Sequence, residues 1–91
     1  ALLARRLREA RERIGVSQRE LGLLMGLGAS VAAPRINQYE RGSAEPSVED
    51  LQRLAEALGV PAAALVTEDP ALHRLLMAWA DASSSARAEA I

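Results

Sequence analysis

The sequence contains no cysteine, no lysine and no phenylalanine, and it has a single histidine. Without cysteine, the chain has no disulfides, no thiolate metal sites and no cysteine nucleophile. His73 alone cannot build a multi-histidine metal site and reads as an exposed helical residue. The serines at positions 83–85 have no neighbouring motif that would supply a general base to activate them as nucleophiles. We therefore expect no metal, no cofactor and no enzymatic activity.

Long apolar runs are also missing, so no segment is predicted to span a membrane or to act as a signal peptide. Strand-like alternation of β-branched residues is absent. Aromatic residues make up only 2% of the chain, which leaves Leu, Ala, Val and Ile to form the core. These absences predict an all-α protein located in the cytoplasm.

The net charge of −1 hides an uneven distribution along the chain. Residues 1–42 contain eight arginines and four glutamates, whereas residues 43–91 contain three arginines and eight acidic residues. This asymmetry indicates an anionic partner for the first half only. The alternative is that both halves carry solvent-exposed charges whose signs differ by chance.

Capping residues, prolines and glycines divide the first 66 residues into five short helices with apolar residues at helical spacing. The predicted spans are Leu2 to Arg13, Ser17 to Gly26, Pro34 to Gly42, Ser47 to Gly59, and Pro61 to about Val66. On helix one, the arginines are predicted on the solvent-facing sides. On helix two, Leu21, Leu24 and Met25 are predicted to point inward.

The chain continues beyond this five-helix unit. Asp69 and Pro70 are predicted to open a sixth helix, which Ser83 to Ser85 break, and Ala86 to Ile91 to begin a last helix. We therefore divide the chain into a domain over residues 1–66 and a C-terminal helical extension over residues 67–91.

Helices two and three are short and are joined by a turn, and helix three carries few apolar residues. This is the helix-turn-helix arrangement, in which one helix supports the other in the DNA major groove. Several spaced motifs accompany it: Ser17-Gln18-x-x-Leu21-Gly22, Met25-Gly26-Leu27, Ile36-Asn37-Gln38-Tyr39-Glu40-Arg41-Gly42, Glu45-Pro46-Ser47, and Leu51-x-x-Leu54-Ala55-x-x-Leu58-Gly59-Val60. Over residues 3–66 they resemble the lambda-repressor-like (Xre-type, Cro-type) helix-turn-helix family. The resemblance implies a five-helix DNA-binding domain that usually acts as a dimeric transcriptional repressor.

One connection departs from the family pattern, with about four extra residues between Gly26 and Ala32. The usual capping serine or threonine position falls on Ala32, which cannot cap. Helix three is therefore predicted to start at Pro34, or at Ser30 if it begins earlier. Gly22 stands where the family usually has alanine, and we expect it to let helices two and three pack closely.

The outer side of helix three is predicted to contact DNA. At about 100° per residue, Ile36, Tyr39 and Glu40 share the inner side. Gln38 on the outer side can pair bidentately with adenine, and Asn37 has the same amide chemistry, although both are also ordinary exposed polar residues. The full predicted set is Gln18, Arg19, Ala33, Pro34, Arg35, Asn37, Gln38 and Arg41.

The other members of this set have different expected roles. Ala33 and Pro34 lie at base-reading positions of the family but offer only apolar contact, for example with a thymine methyl group. Gln18 lies in the first turn of helix two, where the helix end favours a phosphate. Arg19 and Arg41 are candidates for phosphate neutralisation, with a solvated surface arginine as the alternative.

Two further sets concern structure and assembly. The resemblance implies an ion pair between Arg11 and Glu40. The sixth helix carries a wide apolar stripe, which we expect to form a homodimer contact unless it covers the domain's own core: Leu72, Leu75, Leu76 and Trp79.

These observations predict a sequence-specific regulator that binds double-stranded DNA, a dimeric repressor with no membrane contact. One alternative is an antitoxin that also represses its own operon, with a toxin or other effector protein bound to the C-terminal segment. Another is a protein-interaction module that has lost DNA binding, which the acidic pI of about 5.8 favours.

Overall fold

The computed structural model describes residues 2–90, together with the side chains of residues 2–82. Every regular element in this part of the chain is a helix, so the all-α prediction is confirmed. In chain order the helices are α1 (Leu2–Ile14), α2 (Gln18–Leu24), α3 (Ala29–Arg41), α4 (Val48–Leu58), α5 (Ala62–Val66) and α6 (Pro70–Ala90).

Local capping signals explain most of the helix boundaries. At the start of α2, the backbone N–H of Glu20 donates to the hydroxyl of Ser17, and the N–H of Ser17 donates to the carboxylate of Glu20, both over 3.0 Å. At the start of α4, the hydroxyl of Ser47 accepts from the backbone N–H of Asp50 over 3.1 Å, without the reciprocal bond. Gly42 and Gly59 end α3 and α4 with φ of 74° and 70°, a left-handed conformation that costs glycine little.

The core lies between the first five helices, and α6 covers one side of it. Its largest fully buried side chains are Leu7, Leu21, Ile36, Leu54, Leu58 and Leu65. Tyr39 is also buried and donates its hydroxyl hydrogen to Asp50 over 3.3 Å, which ties α3 to α4. From α6, Ala80 enters the core and Leu76 packs against it. Leu24, predicted to point inward, is instead 60% exposed at the end of α2.

The predicted start of α3 at Pro34 is wrong, because the helix begins five residues earlier at Ala29 with Gly28 as its N-cap, one residue before the alternative start at Ser30. Pro34 lies inside the helix and cannot bond to the carbonyl of Ser30. Both residues are exposed, so water can reach that carbonyl. In addition, Ala32 is completely buried against α2, and this packing favours helix over the turn that the proline signals locally.

The predicted break at Ser83 to Ser85 is also wrong, since α6 continues to Ala90. Serine is only a moderately poor helix former, and the surrounding alanines are the best ones. The helix that we predicted from residue 86 onward is therefore the end of α6, and Ile91 lies outside the described residues. Among the helices that the structure describes, none has both the length and the apolar character needed to cross a bilayer.

Two polar side chains on the α1–α6 side lie closer to the core than predicted. Arg6 is only 5% exposed, although the arginines of α1 were expected on the solvent side. Its spacing from Leu3 and Ala10 places it at the edge of the apolar face. The exposed position predicted for His73 is likewise wrong, because the ring is half-buried and its Nδ1 donates to the carbonyl of Ala64 over 2.9 Å.

Candidate nucleic-acid interface

One side of α3 is exposed along the whole helix, from its first turn to its last. We call this side the outer ridge. It consists of Ser30, Val31, Pro34, Gln38 and Arg41, which are all exposed. Their spacing of three and four residues keeps them on one side of a helix. The opposite side carries the buried residues that hold α3 to the core.

Three of the predicted DNA-contacting residues flank the outer ridge without belonging to it. Ala33, Arg35 and Asn37 are half-buried. Ala33 was predicted just before the start of the helix, but the structure places it as the fifth helical residue. If these three residues contact DNA, they do so from positions beside the outer ridge.

The sequence prediction left out Ser30 and Val31, which form the first turn of the outer ridge. Val31 is 41% exposed, so this apolar side chain is open to solvent. Both residues precede Pro34, the predicted start of the helix, and so lay outside the predicted recognition helix. The local signal for the earlier start is Gly28, because glycine is among the residues accepted at an N-cap.

A network of charged hydrogen bonds joins the first three helices beneath this interface. Arg11 donates from Nε to Oε2 of Glu40 over 2.6 Å and from Nη2 to Oε1 over 3.1 Å. Its Nη1 donates to the carbonyl of Val16 over 2.9 Å. The hydrogen bond with Glu40 raises the pKa of Arg11. Both side chains are mostly buried, so the pair ties α1 and the connection to α2 to the end of α3.

Gln18 belongs to the same network. Its Nε2 donates to Oε1 of Glu40 over 3.2 Å, and the side chain is half-buried. A primary amide has two N–H groups, so this bond orients the side chain and leaves the second N–H for another acceptor. The start of α2 is thereby held against the end of α3.

The contact between α2 and α3 is unusually close at one glycine. A Cβ added to Gly22 would lie 2.6 Å from both the Cα and the Cβ of Ala32. Only glycine fits there without moving the helices apart, as expected from the sequence. This contact sets the distance between the two helices of the helix-turn-helix unit.

The arginines differ in whether acidic side chains neutralise them. On α1, Arg5 and Arg8 face Glu9 and Glu12 at 3.8 and 3.6 Å. By contrast, the arginines of α2 and α3 that were predicted to contact DNA form no ion pair with any side chain of residues 2–82: Arg19, Arg35 and Arg41. These three arginines therefore give the helix-turn-helix side of the molecule a positive charge that can attract an anion.

Among the described side chains, no group of three potential ligands is close enough to hold a metal ion. The interface offers amide, guanidinium and short apolar groups on rigid helices, and such groups serve recognition.

The sequence profile of the helix-turn-helix family (HTH_3) matches residues 7–65. The chain belongs to the lambda-repressor-like branch of this family. It is therefore a DNA-binding transcriptional regulator and not an enzyme, as the motifs predicted. A comparison with curated proteins gives no significant match.

Solved structures include similar chains. Transcriptional regulator BswR is 32% identical, with 97% of this chain and 93% of that one covered and a TM-score of 0.78. The P22 c2 repressor protein, solved in complex with synthetic operator 9T, is 30% identical. In that comparison 76% of this chain and 98% of the repressor are covered, with a TM-score of 0.67.

Proposed function

We propose that the chain is a homodimeric transcriptional repressor that reads base edges in the DNA major groove with the outer ridge of α3. The observation that carries this proposal is the exposure of the whole ridge opposite the buried Ile36 and Tyr39. The complex of the P22 c2 repressor with an operator supports it by similarity. Its DNA target assigns the protein to the cytoplasm.

Different parts of the ridge suit different base edges. The amide of Gln38 pairs bidentately with adenine, whereas Val31 and Pro34 offer apolar contacts to thymine methyl groups. At the flanks, Asn37 adds a second amide and Arg35 reaches guanine or a phosphate. We therefore expect an operator half-site that contains A·T pairs opposite the centre and the start of α3.

Phosphate contacts are assigned to the unpaired cations and to the start of α2. Arg19 and Arg41 are exposed, and neither has an acidic partner among the described side chains. Gln18 donates one amide hydrogen to Glu40 and directs the other to a phosphate oxygen, beside the free N–H groups of the helix end. Such contacts position the protein on the duplex and contribute equally to all sequences.

Substitutions in the ridge test this assignment. A preferred site is first selected from a pool of random duplexes, and binding to it is compared with binding to a shuffled duplex. Gln38→Ala should weaken binding to the selected site by about 1–3 kcal/mol and relax the preference at one base pair. Arg41→Ala should weaken binding to both duplexes and reduce the salt dependence of that binding. Gln52→Ala, at an exposed glutamine of α4, is the matched control and should change neither.

Two outcomes would contradict the base-reading role of the ridge. One is an equal loss on selected and shuffled duplexes for Gln38→Ala. The other is the absence of any selected site, together with no measurable binding to either duplex even at low salt concentration. The second outcome would favour the interaction module that has lost DNA binding.

The dimer contact is assigned to the exposed side of α6. Leu75 and Trp79 are 65% and 60% exposed, Leu72 is 40% exposed, and the half-buried Leu76 packs against the core. The patch borders a depression of about 460 Å³ beside Pro61. A twofold axis through this patch would bury the same residues from both subunits. It would also present two α3 helices to half-sites roughly 34 Å apart.

Charge substitutions test the dimer without removing α6, whose residue Ala80 belongs to the core. Sedimentation of the full chain at micromolar concentration should give a dimer. Trp79→Glu should give a folded monomer with weaker operator binding. Leu24→Glu, at a leucine of α2 that is also 60% exposed, should remain dimeric. A wild-type monomer under these conditions would overturn the dimer assignment.

In the antitoxin alternative, the same exposed side of α6 binds a toxin, because an apolar surface patch can bind another protein as well as a second copy of the chain. Under this alternative the free chain is monomeric, and a toxin encoded beside it protects Trp79 from solvent. Trp79 fluorescence with and without that neighbouring gene product separates the two assignments.

A further inference from the structure

A cavity on the side of the molecule formed by α1, α5 and α6 has no part in the proposed DNA contacts. It has a volume of about 200 Å³. Its walls include four polar and three apolar side chains: Arg6, Glu9, Arg13, His73, Ala10, Leu65 and Met77. One charged side chain in this wall is almost completely buried.

Arg6 is 5% exposed, and its Nη1 atom is buried without a hydrogen-bond partner among the side chains of residues 2–82 or the described backbone. A guanidinium remains charged at every physiological pH, so an unpaired buried N–H group costs folding free energy. The other buried arginine, Arg11, is satisfied by a carboxylate and a carbonyl. Arg6, which lines the cavity, thus has unused hydrogen-bonding capacity.

The remaining polar groups leave the cavity positive. Arg13 lies at its edge, paired with Asp81 and bonded to the carbonyl of Leu58 over 3.3 Å. The ring of His73 is held by Ala64. Glu9 is the one carboxylate in the wall, but it is exposed and faces Arg5 at 3.8 Å. No carboxylate of the wall therefore neutralises Arg6.

We propose that this cavity binds a small carboxylate with a short apolar body. A guanidinium donates two parallel hydrogen bonds to a carboxylate, and Arg6 would supply this pair from the cavity wall. Ala10, Leu65 and Met77 would surround the apolar part. The size fits, because a cavity of about 150 Å³ holds benzene. Since the walls come from both α1 and α6, the occupant holds the C-terminal helix against the DNA-binding domain.

Thermal unfolding of the full chain tests this site without DNA, so the result is independent of the proposed operator binding. Benzoate is the probe, benzamide is its neutral control, and the ionic strength is held constant. Benzoate should raise the Tm with the logarithm of its concentration once this exceeds the Kd, by roughly 6–11 °C at ten times its Kd. Benzamide should leave the Tm unchanged.

Variants identify the group responsible. Arg6→Met keeps an apolar stem but removes the unpaired charge, so its Tm without benzoate should equal or exceed that of the wild type, and its benzoate response should be lost. Arg8→Met, at an exposed arginine of the same helix, should keep the response. Met77→Phe should abolish the response by filling the cavity, with Arg6 still present.

Three results would overturn the proposal. The first is an equal effect of benzoate and benzamide on the wild type. The second is a benzoate response that persists in both Arg6→Met and Met77→Phe. The third is a wild type insensitive to benzoate, whatever the stability of Arg6→Met.

Discussion

The substitution Gly22→Ala measures how close α2 and α3 must be. The added methyl group would lie 2.6 Å from the Cα and 2.6 Å from the Cβ of Ala32, and 2.8 Å from its carbonyl carbon. Non-bonded carbon atoms are most stable at about 3.5–4.0 Å, so the helices would have to separate by about 1 Å. Two of the three atoms belong to the backbone, so a change of rotamer cannot relieve the contact.

The expected magnitude combines two opposing terms. Overpacking of this kind costs about 1–3 kcal/mol, whereas replacing glycine by alanine inside a helix gains about 1 kcal/mol. The cost is expected at the upper end because backbone atoms must move. We therefore expect a net loss of about 1–2 kcal/mol and a fall in Tm of roughly 5–15 °C.

Circular dichroism during heating and urea titration both report this change. The control is Gly28→Ala, because an added Cβ at Gly28 meets nothing within 4 Å and the φ of −68° suits alanine. Its effect should stay within about 0.5 kcal/mol, since the weaker N-cap and the reduced chain entropy oppose each other. A Gly22→Ala protein as stable as the wild type would refute the close approach of α2 and α3.

Other consequences of the structure can be measured separately. Arg11→Ala and Glu40→Ala should each destabilise the fold, and a double-mutant cycle should give a coupling of about 1–3 kcal/mol, whereas additive losses would exclude the pair. The hydrogen bond from the backbone N–H of Ser17 lowers the pKa of Glu20 below its ordinary value of 4.5. Its stabilising effect is thus complete above pH 4.5 and disappears as the pH falls through the lowered pKa, so Glu20→Gln should flatten the acid limb of a stability–pH curve. Gly28→Ser should raise stability by about 0.5–1 kcal/mol by adding a side-chain cap to α3, and an unchanged Tm would show that no cap forms.

Helix boundaries marked by local chemistry could be predicted from the sequence. The capping box of Ser17 and Glu20, the N-cap Ser47 and the glycines that end α3 and α4 all act within a few residues of the boundary they mark. The family motifs are similarly local and ordered, so the helix-turn-helix unit followed from them.

The start of α3 could not be predicted in this way, because a distant contact overrides the local signal of Pro34. Ala32 is buried against Gly22, ten residues earlier in the chain, and that packing favours a helix through the proline. The burial of Arg6 has a related origin. Its side chain is covered by α5 and α6, and nothing in the spacing of α1 indicates which neighbours will cover its edge.

Relative to the family pattern, the chain has about four extra residues before Ala32, and in the structure they amount to one added turn of α3. Four residues contribute about 6 Å of length and about 400° of rotation, which is one turn plus 40°. Because the phase is nearly preserved, Ala32 and Ile36 lie on the same buried side, and Glu40 still reaches Arg11. The added turn also lengthens the outer ridge without changing its direction.

An added turn must also fit against α2, and the Gly22–Ala32 contact shows how it does. With glycine in place of the alanine that is usual in the family, α2 accepts the backbone of α3 where a Cβ would clash. The small side chain of Ala32 completes this close approach. Glycine in α2 and a longer α3 are therefore two parts of one arrangement. Ser30 and Val31 become candidate DNA contacts because the added turn has room to pack.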